Sequence, residues 1–403
     1  MKKKLTTILI FGILVFIGCS ENVKSQIPEG AFHIAYQSHL YIRGSVNGVD
    51  GNFVFDTGAT NLYFDNIHYS DNDFQFKNTS IGILPGVGTK PQRVTVIMDT
   101  VQFKLGENLF KTTKVPVLKL KPILGDIADG ILGIEYFNNS VLEINYEDEY
   151  MKVYSIIDSV DIHGWDKIEL TKKDNRLYIP LTVMVNDTIN ISGDFLLDFG
   201  SGGTVSLTSV VSEKNNLMNN IHNKVPYFTK YGGVGGESSS HDFITSSVSI
   251  GDFKFNDVDM DFSSDTKGAL ASEKYLGVLG NKIFERFHVL IDFKNDILYL
   301  KPNKKYNEQF EPSRLGFSYI DRGKTLNSWI VTGLHSSLNA DNAGLKIDDK
   351  ILSINEVNVN DIDYKLQKSF FKNVDNVNLK IERDGKIFKI AFQLEPILTI
   401  TNK

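Results

Sequence analysis

Residues 51–65 read GNFVFDTGATNLYFD. Asn52, Val54 and Asp56 fall on one side of a period-2 pattern and Phe53, Phe55 and Thr57 on the other, which predicts a strand built for burial on at least one face. Asp56 stands where that strand ends and a tight turn begins. A carboxylate there costs several kcal/mol unless it is hydrogen-bonded or shares its charge, so it is either a turn-capping residue or a chemical group. Asp-x-Gly alone is ordinary turn chemistry and leaves both readings open.

The composition narrows the field. A chain of 403 residues suits two or three domains, and 32 glycines, 10 prolines and many short Val/Ile/Phe runs favour a β-rich protein. A net charge of −6 with mixed signs offers no basic footprint for nucleic acid. At the N-terminus, Lys2, Lys3 and Lys4 precede an apolar run from Ile8 to Ile17, the anatomy of a secretory signal rather than of a spanning helix. The single cysteine, Cys19, falls where that signal ends and resembles the lipobox of bacterial lipoproteins, with Phe16 a less usual residue at its position. The resemblance implies a lipoprotein signal segment (1–19) cut just before Cys19, lipidation of Cys19 as the mature N-terminus, and a lipid-anchored membrane lipoprotein of the cell envelope, on the periplasmic or outer-membrane face. With no other cysteine, a disulfide, a Cys-Zn cluster or an internal thiol nucleophile is excluded.

The opening stretch occurs twice. GDFLLDFGSGGTVSLT, residues 193–208, places Asp198 142 positions after Asp56. A glycine-rich turn follows each copy, GVGTKPQ from Gly86 and GVGGESS from Gly233, 147 positions apart. DGILGIEYFNNSVLEINY from Asp129 and LGVLGNKIFERFHVLIDF from Leu276 then pair Gly130 with Gly277, Phe137 with Phe284 and Asn145 with Asp292, again at 147. Three features in one order at near-constant spacing predict two pseudo-symmetric β-rich lobes of about 140 residues each. Facing lobes would bring Asp56 and Asp198 together on one shared proton, with the charged member activating water and the protonated member stabilising the developing oxyanion.

On these residues the chain resembles a bacterial two-lobed aspartic protease of the pepsin/retropepsin type. The likeness covers about residues 30–303 and rests on Asp56-Thr57-Gly58-Ala59, the weaker Asp198-Phe199-Gly200-Ser201, and the segments Ile131-Leu132-Gly133 and Val278-Leu279-Gly280, which in that family thread beneath the catalytic loops. It implies a mainly β, bilobal pepsin-like fold with lobe 1 over 27–160 and lobe 2 over 161–303, and an aspartic endopeptidase that needs no cofactor or metal. Asp56 and Asp198 would be catalytic, with Thr57, Gly58, Ala59, Gly200 and Ser201 supporting the loops, and Gly86, Gly88, Gly233 and Gly235 in flaps that close on substrate. Two departures stand out. Phe199 replaces the Thr or Ser whose hydroxyl grips the opposite loop, leaving Thr57 only its own half, and no Tyr marks a flap tip near Gly86, although Tyr231 flanks the second turn. The alternative is a catalytically degenerate peptide-binding protein on the same scaffold. Ala59 offers Asp56 no hydroxyl, whereas Ser201 is placed to offer one to Asp198; this predicts a shared proton held to milder acidity than a pair with a hydroxyl on both sides.

Other chemistries lack an anchor: there is no H-E-x-x-H, no Gly-Lys-Ser/Thr phosphate loop behind YGGVGGESSS, and no G-x-S-x-G elbow. After a polar linker (304–312), residues 313–398 resemble a PDZ domain: Leu315-Gly316-Phe317-Ser318 corresponds to the carboxylate-binding loop, and Ala343-Gly344-Leu345 through Asn355 to a segment typical of bacterial members. A PDZ-like module adds an extended peptide to a sheet edge and holds its terminal carboxylate on loop N–H groups. The partners expected are therefore a peptide or protein substrate, a PDZ ligand peptide and, through the lipid, a membrane.

Overall fold

Each half of the repeat folds in the same way around its aspartate. In the computed structural model, which describes residues 27–84, 92–233, 236–372 and 374–399, strand Val49–Phe55 carries the chain to Asp56 and strand Leu62–Asp65 carries it away. Strand Gly130–Leu132 inserts between them, parallel to the first, with Leu132 opposite Phe55, and antiparallel to the second, with Leu132 opposite Leu62. In the other half, Gly277–Leu279 inserts between Asn190–Leu197 and Val205–Leu207 with the same directions. The glycines that open both inserted strands have a steric reason: a Cβ on Gly277 would sit 2.9 Å from the Phe195 ring, and one on Gly130 would be 2.7 Å from the Phe53 ring.

The spacing of the repeat reappears as geometry. Strands Val141–Asn145 and Phe287–Asp292 pair antiparallel, with Val141 opposite Asp292, Glu143 opposite Leu290 and Asn145 opposite His288. Moving the first member of each pair forward by 147 positions and the second back by 147 turns this pairing into itself, so a local two-fold axis passes between Glu143 and Leu290. Strands from both halves flank this pair in one continuous layer, Asp166–Glu169, Ile297–Pro302, Tyr150–Tyr154 and Ala31–Gln37. Above it a single apolar core runs through both halves, with Phe55, Phe137, Phe199, Phe284 and Phe293 all buried. The protein is mainly β.

Residues 315–394 form a third unit with its own core, centred on Trp329, Val331, Ile351, Leu379 and Ile381. A strand pairing fastens it to the second half. Strand Lys224–Thr229 pairs antiparallel with Ser328–His335, the Tyr227 ring filling the space that the missing side chain of Gly333 leaves. The polar run expected to be a linker is also held: Arg286 donates to the carbonyls of Lys305 and Glu308, and its guanidinium lies 3.8 Å from the centroid of the buried Phe310 ring. Among the described residues no helix is long and apolar enough to cross a membrane.

Candidate active site

Asp56 and Asp198 meet at the junction of the two halves. The inserted strands support both turns from below, the Asp56 N–H donating to the Leu132 carbonyl (3.1 Å) and the Asp198 N–H to that of Leu279 (3.0 Å). Backbone N–H groups then hold the carboxylates: Gly58 (2.7 Å) and Ala59 (3.0 Å) both donate to Asp56 Oδ1, and Gly200 (2.7 Å) donates to Asp198 Oδ1. Glycine follows each motif because the two carboxyl groups crowd it. A Cβ on Gly58 would stand 3.1 Å from both Asp198 Oδ2 and Asp56 Oδ1, and one on Gly200 would overlap the Asp56 carboxyl. The Ser201 hydroxyl does not serve Asp198 as the sequence suggested; it accepts from the Gly203 N–H (3.4 Å).

Burial pushes the pKa of both carboxyls above the ordinary carboxylate value. For Asp198 the Asp56 charge adds to the rise, and the Gly200 and Ser201 N–H groups oppose it. For Asp56 the rise is opposed by a hydrogen bond from Asp198, by the Ala59 and Gly58 N–H groups, and by the charge of Arg176. With both carboxyls raised, the favoured state of the pair is one proton shared between them, a property of the pair rather than of either residue. Arg176, at the start of strand Arg176–Met184, is exposed and was not singled out from sequence. Its relevance follows from the fold of the second half and not from any local motif.

The loops are tied across the junction by more than the sequence indicated. Thr57, fully buried, donates to the Leu197 carbonyl (2.6 Å) and accepts from the Phe199 N–H (2.9 Å). Phe199 has no hydroxyl to return the grip and instead stacks on Phe284 with 4.7 Å between centroids. The Phe199 carbonyl accepts from Asn281 Nδ2, while Asn281 Oδ1 accepts from the Tyr146 hydroxyl (2.7 Å), which comes from the first half. This Tyr146–Asn281 bridge has no counterpart at the repeat-related position of Asn281, which is Ile134.

Apolar surfaces flank the pair. In the first half Val54 and Ile131 cluster with Ala59, Tyr63 and Tyr41; in the second, Leu196 and Val278 cluster with Tyr178 and Tyr275. Gly233 adopts φ 125° in the connection that follows Lys224–Thr229, the strand docked on the C-terminal unit. Gly86, Gly88, Gly235 and Cys19 lie outside the described residues. Strands Thr79–Leu84 and Gln92–Ile97, which lead to and from the first glycine-rich turn, expose Ile81 (62%) and Ile83 (73%). Among the described residues, no group of three or more His, Cys, Asp or Glu side chains is arranged to hold a metal.

In the C-terminal unit, Leu315, Gly316, Phe317 and Ser318 form a turn leading into strand Phe317–Arg322. Gly316 takes a left-handed φ of 69°, and its carbonyl accepts from the His335 N–H (3.0 Å). The turn closes one end of a cavity of about 830 Å³ between that strand and the segment Tyr364–Phe371. The residue pattern of this unit decides its family: residues 305–382 match the model of the PDZ domain. Residues 305–382 form a PDZ domain. No curated protein matches the chain. A PDZ domain binds peptides or proteins. The PDZ match begins at 305, inside the polar run that Arg286 holds, and the PDZ core continues past it to Leu394.

Proposed function

We propose that residues 27–303 are a pepsin-like, two-lobed aspartic endopeptidase, and that the PDZ domain engages peptide or protein termini for it. The reading rests above all on the meeting of Asp56 and Asp198, one from each half, with the pKa of both raised by burial. A substrate peptide lies across the pair with a water between the carboxyls and the scissile carbonyl. Asp56 takes a proton from the water as its oxygen bonds to the carbonyl carbon, and Asp198 gives its proton to the carbonyl oxygen. The resulting diol collapses: one of its hydroxyls returns a proton to Asp198, the C–N bond breaks, and Asp56 protonates the departing nitrogen. The pair ends as it began, with Asp198 protonated. In the same proposal a lipid on Cys19 anchors the enzyme in the bacterial cell envelope.

Phe199, with the lack of a Tyr near Gly86, favours a noncatalytic peptide-binding protein on this scaffold. The Tyr146–Asn281 bridge answers it, since it holds the second loop by other atoms. The experiment is hydrolysis of a denatured protein substrate between pH 3 and 8 by the wild type, Asp56→Asn and Asp198→Asn, with folding checked by circular dichroism. Loss of at least about a thousandfold in both variants supports the endopeptidase. An inert wild type supports the binding protein.

A further inference from the structure

The groove of the PDZ domain is not open along its length, because the first half of the protein already occupies part of the strand edge that a ligand would use. The Asp126 N–H donates to the Asp321 carbonyl (2.9 Å) on the outer edge of strand Phe317–Arg322. Gly125 lies flat on the same edge with φ 81°, and a Cβ there would stand 2.9 Å from the Asp321 carbonyl oxygen. The contact is locked by the buried Asp126 carboxylate, which accepts from Arg322 Nε (2.7 Å), the Thr325 N–H (2.8 Å) and Thr325 Oγ1 (2.9 Å). Behind it the buried Lys121 ammonium donates to the Asp126 and Ala128 carbonyls, both at 3.0 Å, and fixes the segment to the first half.

The rest of the cavity is walled by the first half as well. Gln37, His39 and Tyr41 line it, Gln37 Nε2 donates to the Lys365 carbonyl (3.0 Å), and the Tyr41 ring meets that of Tyr364 edge-on at 5.8 Å. At the Gly316 end Arg314, which is paired with Asp375 at 2.6 Å, and Lys372 stand beside Glu311, while Leu315, Phe317, Phe371 and Leu394 make it apolar.

Taking a peptide carboxyl terminus held at Gly316 as PDZ domains hold theirs, we propose that Gly125–Asp126 acts as an internal end-stop on the strand edge, so that this composite groove pairs with only a short terminal segment. A ligand held by its carboxylate at Gly316 runs antiparallel to the strand toward Arg322 and finds its pairing blocked at Asp321. At about 3.3 Å per residue, the open edge from Phe317 to Ile320 accommodates about four residues. Residues beyond these leave the strand and add no pairing. The inference rests on the peptide-binding PDZ domain and not on hydrolysis, so it survives or fails independently of the protease reading.

The test uses the full chain carrying Asp56→Asn, so that no probe can be cut, and Trp165→Phe, so that fluorescence reports Trp329, which stacks on the cavity residue Tyr319 at 4.4 Å. The probes are pools of tetrapeptides and octapeptides ending in leucine, valine or phenylalanine, each as the free acid and as the C-terminal amide. Free acids should bind at least about tenfold more tightly than amides, the difference of a charge-assisted contact. Octapeptides should match tetrapeptides within about threefold, and Asp126→Ala or Thr325→Val should give octapeptides an advantage of at least about tenfold. No binding, equal binding of acid and amide, an octapeptide advantage already present without those changes, or no advantage in either unlocking variant would each overturn the proposal.

Discussion

The Thr57 hydroxyl crosses the junction of the two halves, donating to the Leu197 carbonyl at 2.6 Å and accepting from the Phe199 N–H at 2.9 Å. One side chain thus satisfies a buried donor and a buried acceptor on the opposite loop. Thr57→Val keeps the shape and leaves both unpaired, at about 1–3 kcal/mol for each group. Chemical denaturation should show a loss of about 2–5 kcal/mol in total, with hydrolysis falling further than stability because the two carboxylates lose their common frame. Unchanged stability would show that the grip contributes nothing.

Restoring a hydroxyl at the second loop should not help. Phe199 is fully buried between Phe284 and Phe55, so Phe199→Thr opens a cavity in the shared core. A cost of about 3 kcal/mol or more is expected from denaturation, with no gain in activity. A more active, equally stable Phe199→Thr protein would mean that the Tyr146–Asn281 bridge does not replace the missing bond.

Two substitutions should move the pH–rate profile in opposite directions. The charge of Arg176 lowers the pKa of Asp56, so Arg176→Ala lets it rise and shifts the pH–rate profile toward base. Ala59→Ser offers Asp56 a hydroxyl donor that favours its charged form and shifts the profile toward acid. Both limbs belong to the pair rather than to one residue. Profiles that stay put, or that move together, would refute this account of the charges around Asp56.

Asp261 gives a separate test of burial. Burial, with the charges of Asp242 and Asp265, raises its pKa to about 8, while the Ser206 hydroxyl donates to it at 2.6 Å. A carboxyl whose folded pKa is raised leaves stability intact below its unfolded pKa of 3.8 and subtracts from it progressively up to about pH 8, after which the loss is constant. Asp261→Asn should therefore raise the melting midpoint at pH 8.5 by at least about 3 °C, the shift that about 1 kcal/mol produces, and change it little at pH 4. An equal effect at both pH values would contradict the shift.

Cys19 is tested by partitioning. A lipidated protein enters the detergent phase, and Cys19→Ser should remain aqueous or unprocessed. Identical partitioning of the two would remove the anchor from the proposal.

The sequence revealed what repetition and local pattern can carry. Asp56 and Asp198 were found because each ends an apolar strand and is followed by a glycine, and the offset of 147 reappears as the pairing of Glu143 with Leu290. Gly316 was legible through the resemblance of Leu315-Gly316-Phe317-Ser318 to a PDZ loop, and its φ of 69° is a left-handed conformation that suits glycine. The remainder depends on contacts between residues far apart in the chain. Asn281 looks like an ordinary helix-start residue until Tyr146 arrives from 135 positions earlier, and Arg286 is one cation among many until it meets Phe310. Asp126 is hidden for the same reason: its partners Arg322 and Thr325 are 196 and 199 positions away. Ser201 shows the converse, a hydroxyl beside the right residue whose loop turns it toward Gly203.

The most direct test of the central claim is cleavage of a peptide substrate in water enriched in ¹⁸O, followed by mass spectrometry of the products in the wild type and both Asp→Asn variants. Direct attack by water that Asp56 activates predicts rapid wild-type cleavage with ¹⁸O in each new carboxyl group. Neither Asp56→Asn nor Asp198→Asn should release product above background. Cleavage that persists in Asp198→Asn, or a folded wild type that cuts nothing, would contradict a shared-proton pair as the catalytic centre.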